Sequence, residues 1–266
     1  MEIFATGLSM GESPRWHAGR LWVCDWMAGE VLSFDAAGER RVELTMEGLP
    51  FSIDWLPDGR AVLTSPAGVV LGDGTPYGGT GRGWNEIVVD AHGNAFVNEI
   101  GFDFMGGGEP TSGTVQVVRP DGSTRQVAYD VWFPNGMALT DDGGTLIVAE
   151  SYRNRLSAYD AAADGSLTNR RTWAELEFAP DGICVDADGA VWYATVPGRC
   201  CIRVAEGGAV LDRVDADRGC FACMLGGDDG RTLHVIAQEW GGIEGVGGRT
   251  GQVLIHRAAA PHAGRP

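Results

Sequence analysis

A short apolar stretch, a polar turn ending in glycine and a second apolar stretch recur six times along this chain. The copies are Pro14–Gly19 leading into Leu21–Val23, Ile53–Gly59 into Ala61–Leu63, Ile87–Gly93 into Ala95–Val97, Met137–Gly143 into Leu146–Val148, Ile183–Gly189 into Val191–Tyr193, and Met224–Gly230 into Leu233–Val235. Each copy reads as a hairpin, because an Asp/Gly turn supplies the positive φ that a tight reversal between two β-rich runs requires. The turn glycines at 19, 59, 93, 143, 189 and 230 are spaced by 40, 34, 50, 46 and 41 residues. A mean period of about 42 leaves room for four strands per unit, the size of a propeller blade. A β-sandwich turns every 8–12 residues and has no reason for such a period.

The expected fold is therefore all-β, a six-bladed β-propeller with a central channel. A ring must close or leave sheet edges free to pair with other chains. The last unit has Gly251–Arg257 as its third strand and then runs into Ala258-Ala259-Ala260-Pro261, so Glu2–Ala5 is expected to supply the missing outer strand. This makes residues 1–258 a single propeller and 259–266 a disordered tail. With 41 Gly and 12 Pro in 266 residues, a helical bundle is excluded.

Twenty Lys+Arg against 36 Asp+Glu give a net charge of −16, which repels phosphate backbones and anionic lipid headgroups. Nucleic acid and membrane are thus not expected partners; a small molecule is, with the protein a monomer or weak homo-oligomer. The N-terminal stretch has no basic and apolar leader, which points to a cytoplasmic location. Six cysteines are then expected as reduced, buried thiols, the alternative being a four-thiolate zinc site made of Cys220, Cys223, Cys200 and Cys201.

In a propeller the first strand of each blade lines the channel, so equivalent positions near its start converge on one axis. Counting eight residues back from the turn glycines gives Phe51, Asn85, Asn135, Asp181 and Ala222; in the first blade, whose turn is one residue shorter, it gives Glu12. Carboxylates and amide carbonyls without His or Cys are hard donors, suited to calcium, magnesium or manganese, with zinc and iron(II) still open. The competing reading takes Asn135-Gly136 and Asp181-Gly182 as turn residues between blades. That reading does not account for Glu12.

Three segments, Gly11-Glu12-Ser13-Pro14-Arg15-Trp16, Phe133-Pro134-Asn135-Gly136-Met137-Ala138 and Pro180-Asp181-Gly182-Ile183-Cys184-Val185-Asp186, resemble the hallmarks of the regucalcin (senescence marker protein)/gluconolactonase family. The resemblance covers essentially the whole chain. It implies a six-bladed propeller with one divalent cation, foremost calcium, in the channel, and lactone hydrolysis as the activity. Glu12, Asn135 and Asp181 would be metal ligands, with Asn85 beside them as a further ligand or substrate contact. Where the family's sugar lactonases carry Arg-x-Asn-Asp, this chain has Gly83-Trp84-Asn85-Glu86, and its nearest arginine, Arg82, is one residue out of register. Apolar Phe51, Trp84, Trp132 and Phe133 flank the candidate ligands, as suits a less polar substrate.

A divalent ion with open positions polarises an ester carbonyl and lowers the pKa of water, the two demands of lactone hydrolysis. Asp181 or Glu99 is the expected general base. Glu99 follows from position, six residues past turn Gly93; Asp25, six past Gly19, and Glu150, seven past Gly143, hold the corresponding places in blades one and four. No G-x-S-x-G elbow, phosphate loop or HExxH competes. A phosphotriesterase-like hydrolase with the same ion and a non-catalytic calcium-binding propeller are the alternatives.

Overall fold

The computed structural model describes residues 1–79, 83–242 and 248–264. They form six four-stranded antiparallel sheets, five of them built from consecutive strands. The inner strands are Gly11–His17, Ile53–Trp55, Trp84–Val89, Pro134–Leu139, Ile183–Val185 and Gly219–Gly226, for blades one to six. All six turn glycines have positive φ, from 69° at Gly143 to 86° at Gly59. The period read from the sequence is thus the blade itself.

Both faces of each sheet are covered, and the alternation of side chains sorts them between neighbours. Ile147 packs toward blade five, with Val191 and Ile202. The next residue, Val148, packs toward blade three, with Phe96 and Val115. Among the described residues each junction between adjacent blades carries its own apolar cluster. Full burial of such a side chain contributes about 1.5–3 kcal/mol, so the ring is held by many equivalent seams. All six cysteines are buried free thiols. Cys200 faces the seam of blades four and five, whereas Cys201, Cys220 and Cys223 face that of blades five and six.

The ring closes as expected: Glu2–Leu8 pairs antiparallel with Gly251–Arg257 as the outer strand of blade six. Asp25 ties this strand's end to blade one, its carboxylate accepting from the backbone N–H groups of Ser9 (3.0 Å) and Met10 (2.8 Å). The tail differs from expectation. Residues 259–264 run from blade six across the turn of blade five, where His262 N–H donates to Gly230 O (2.9 Å) and Ala263 N–H to Val185 O (3.2 Å), and Ala263 reaches the seam of blades four and five. Ala260 and Ala263 are buried along this path, because small side chains let the backbone settle onto the blade turns.

Candidate active site

Four of the residues expected at the axis, Glu12, Asn85, Asn135 and Asp181, line one cavity of about 760 Å³ at the channel mouth, together with Glu99. Local irregularities aim them. The ladder between the first two strands slips between Glu12 and Arg15 in blade one, between Trp84 and Ile87 in blade three, and between Pro134 and Met137 in blade four. Such bulges turn a side chain out of the strand's alternation. In blade five the regular strand starts only at Ile183, after Asp181. Ser13 and Phe133 hold left-handed backbone, φ 48° and 52°, next to these bulges; this costs about 1–3 kcal/mol per residue and is typical of sites the surrounding fold over-determines.

Gly136 and Gly182 are close-approach positions between blades, and not turn residues. Gly136 N–H donates to Asp181 O (3.2 Å) and Gly182 N–H to Phe221 O (2.8 Å), which stitches the inner ends of blades four, five and six. A side chain at Gly136 would collide with the backbone of Asp181 and Ile183. Two residues that the repeat did not flag secure the same region. Asn98 donates to Asn135 O (2.7 Å), and Ser151 Oγ donates to Pro180 O (2.7 Å). The Asn85 side-chain NH2 donates to Pro134 O (3.3 Å), which frees its carbonyl oxygen.

The electrostatics are unbalanced. Burial pushes the Glu12 carboxyl well above its ordinary range, and the charges of Asp181 and Glu86 push it further. Burial also raises Asp181, opposed by a hydrogen bond from Asn135 and reinforced by Glu86. Among the described residues neither Glu12 nor Asp181 makes an ion pair, and no three His, Cys, Asp or Glu gather as a metal cluster. The donor set is two carboxylates and two amide carbonyls. It is short of positive charge and made of hard oxygens, and so it fits a divalent ion of the calcium, magnesium or manganese type.

Several expected contacts fall elsewhere. Phe51 is fully buried in the seam of blades one and two with Ile53 and Leu63, and only its carbonyl is engaged near the cavity, accepting from Trp26 Nε1 (2.6 Å). Trp84 faces away, packed on Gly79 and the seam of blades two and three, because the bulge after it sends Asn85 to the axis instead. Arg82 lies outside the described residues. Trp132 donates to Asp130 (2.7 Å) and sits under Arg153, whereas Phe133 does line the cavity. Of the three second-strand carboxylates, only Glu99 lines the cavity. Asp25 is the closure strut described above, and Glu150 is held by Arg155 (3.0 Å), Arg170 (2.9 Å) and Trp132 N–H (2.9 Å).

The remaining wall was missed from the sequence. Phe102, Phe104 and Met105 come from residues 100–112, a long connection between the second and third strands of blade three; Tyr152 and Trp240 join them from blades four and six. The signal was the 50-residue spacing from Gly93 to Gly143, the longest of the set.

Residues 10–239 match the family described as SMP-30/gluconolactonase/LRE-like region. The chain belongs to this family. Among curated members, the pentonolactonase XacC of Haloferax volcanii is 26% identical over 251 residues, 88% of this chain and 83% of that one. Regucalcin of Xenopus laevis is 27% identical over 86% of this chain and 83% of its own. Among solved structures, a luciferin-regenerating enzyme superposes with a TM-score of 0.78 at 19% identity, over 97% of this chain and 94% of that one. A calcium-binding regucalcin from Agrobacterium tumefaciens gives 0.75 at 18% identity over 99% of each. The family assignment and the propeller agree with the reading of the three segments.

Proposed function

We propose that the chain is a divalent-cation-dependent lactonase acting on a small molecule in the central channel. The observation that carries this is the pair of carboxylates, Glu12 buried and Asp181 half-buried, that converge with two amide carbonyls and, among the described residues, have no cationic side chain to balance them. Family relatives named as lactonases support the reaction class. Glu12, Asn135 and Asp181 would hold the ion, with Asn85 available as a fourth oxygen. A divalent ion bound there supplies Lewis-acid polarisation of the ester carbonyl and acidifies water.

The chain's own residues do the rest. Glu99 stands opposite Trp84 in the ladder, one residue from Asn85, and lines the cavity. Asp181 is spent as a ligand, so Glu99 takes the proton from the attacking water as general base. Water adds to the carbonyl, the ring C–O bond breaks, and the proton held by Glu99 passes to the departing ring oxygen. The product is the hydroxy acid. Asn85 and Asn135, fixed through Pro134 O and Asn98, keep the donor oxygens in place during this exchange.

The test is turnover of a lactone panel, with a phosphotriester alongside, by metal-stripped protein reconstituted with calcium, magnesium, manganese, zinc or iron(II). Turnover restored by one of these ions, and lowered at least about a thousandfold by Asp181→Ala or Asn135→Ala, is the expected result. Full activity in chelator, or variants within tenfold of wild type, would remove the assignment. Turnover of the phosphotriester alone would move it to that substrate class, and tight ion binding with no turnover would leave a binding protein.

A further inference from the structure

We infer that the substrate is a lactone carrying a sizeable apolar substituent, an alkyl chain or an aryl ring, and not a polyhydroxylated sugar lactone. This rests on the lactonase reading above and assigns the part of the cavity that the reading leaves unused. The oxygen donors occupy the floor; above them the wall is aromatic. Phe133 stacks on Tyr152 (centroids 4.7 Å apart, rings inclined by 25°), Phe104 meets Phe133 edge-on at 4.9 Å, and Phe102 closes on both at 5.9 and 6.0 Å. Across the cavity Trp240 packs edge-on against Phe221 at 5.4 Å.

Three features of this wall bear on the ligand. The first is size: about 760 Å³ lies within the range of pockets that bury ligands of drug size, well beyond a bare lactone ring. The second is chemistry. Each hydroxyl of a sugar lactone loses water on entry and needs a partner in return, or its burial costs free energy. Above the floor polar groups are few: Ser151 is engaged on Pro180 O, Asp103 accepts from the N–H of Gly106 (2.8 Å) through one of its oxygens, and Tyr152 brings one hydroxyl on a ring that packs against those of Phe102 and Phe133. None of the described lining residues is an arginine, and the chain has no lysine at all. The third is placement. Phe102 and Phe104 sit on residues 100–112, outside every blade seam, so the fold does not need them there. Half-exposed aromatic rings gathered over a hydrolytic floor are accounted for by an apolar group that lies against them.

The experiment compares kcat/KM for an aldonolactone with that for γ-lactones whose alkyl chain lengthens from none to eight carbons, using the metal-loaded protein. An increase of about two- to fourfold per methylene is expected over the first several carbons, as ~0.8 kcal/mol per buried methylene dictates. Phe104→Ala should lower kcat/KM for the long-chain lactone at least tenfold more than for the unsubstituted ring. A flat chain-length series, or the aldonolactone preferred over all alkyl lactones, overturns the inference. A separate readout keeps it apart from the catalytic reading: calorimetric binding of an alkyl-substituted lactam, which cannot be hydrolysed, against a polyhydroxylated lactam. Tighter binding of the alkyl lactam, weakened by Phe104→Ala, supports the apolar class even where no lactone turns over, in which case only the hydrolase reading falls. Equal or weaker binding of the alkyl lactam overturns the class whatever the turnover panel shows.

Discussion

Two sets of buried carboxylates lie within a few residues of each other along the channel and are treated in opposite ways. Just behind the site, Glu86 is paired with Arg15 at 2.9 Å and also accepts from Ser13 Oγ (3.0 Å) and Ile87 N–H (2.9 Å). Arg15 in turn donates to Ile87 O (2.6 Å) and Pro14 O (2.9 Å). Glu150 in blade four is likewise closed in by two arginines. Among the described residues Glu12 and Asp181 have no arginine partner, and after burial itself the charges of Asp181 and Glu86 raise Glu12's cost of ionisation while that of Glu86 raises Asp181's. Where a buried carboxylate serves the fold, this chain supplies the countercharge from its own sequence. Where, among the described residues, it leaves the countercharge out, the proposed function puts a cation from solution.

The comparison is sharpest in stability. Glu86→Gln leaves the Arg15 guanidinium buried without its partner, and removal of one member of a buried pair costs about 3–5 kcal/mol. Urea unfolding of the chelator-treated protein should show that loss. Glu12→Gln, by contrast, removes one of two charges that repel, so the same measurement should show a gain. Loss of similar size in both variants would break the distinction.

Glu99 tests the other half of the contrast, since it shares its place in the blade with Asp25 and Glu150 but not their partners. Glu99→Gln should lower kcat by at least about a hundredfold, the lower end for a general base, with the melting temperature of the chelated protein unchanged. A fall in stability with kcat intact would make it a strut like its two counterparts. The ion itself gives the next effect. At a hundredfold excess over its dissociation constant it should add about 2.7 kcal/mol to wild-type stability, and this increment should vanish in Glu12→Gln and Asn135→Ala.

The fold was legible because a propeller writes its period into turn glycines, which positive φ makes hard to replace. Asn85, Asn135 and Asp181 were legible for the same reason, as equal offsets from those glycines put them on one axis. Phe51 has the same offset and fails. Its local backbone matches that of Asp181, two residues ahead of a slip-free inner strand, but its apolar ring is taken into the seam of blades one and two with Ile53 and Leu63. Trp84 fails because the bulge lies after it. Offsets locate a backbone position; the bulges of blades one, three and four, and the polarity of the side chain in blades two and five, decide where the side chain goes. The aromatic wall was not legible, since it stands on a connection that obeys no repeat and shows itself only as excess length. The packing of residues 259–264 was not legible because Ala258-Ala259-Ala260-Pro261 has no strand pattern, although small residues suit the surface between blade turns.

His234 shows a third treatment of a buried titratable group, held by backbone carbonyls and aromatic rings and by no charged partner among the described residues. It lies in blade six, stacked on Trp16 (5.4 Å, 16°) and edge-on to Phe4 (5.6 Å), and burial lowers its pKa to about 4 despite backbone hydrogen bonds that oppose the shift. The imidazole stays neutral in the fold and regains its ordinary pKa near 6.5 on unfolding. Below that value the unfolded chain binds the proton first, so stability falls as pH drops from about 6.5 toward 4 and is independent of this group above. Between about pH 7 and 5.5 the loss is about 1 kcal/mol. His234→Phe, which keeps the ring between its neighbours, should flatten that part of the wild-type stability curve. An unchanged slope would place the pH dependence with the carboxylates at the axis, and His234 would then be an ordinary filler of the seam.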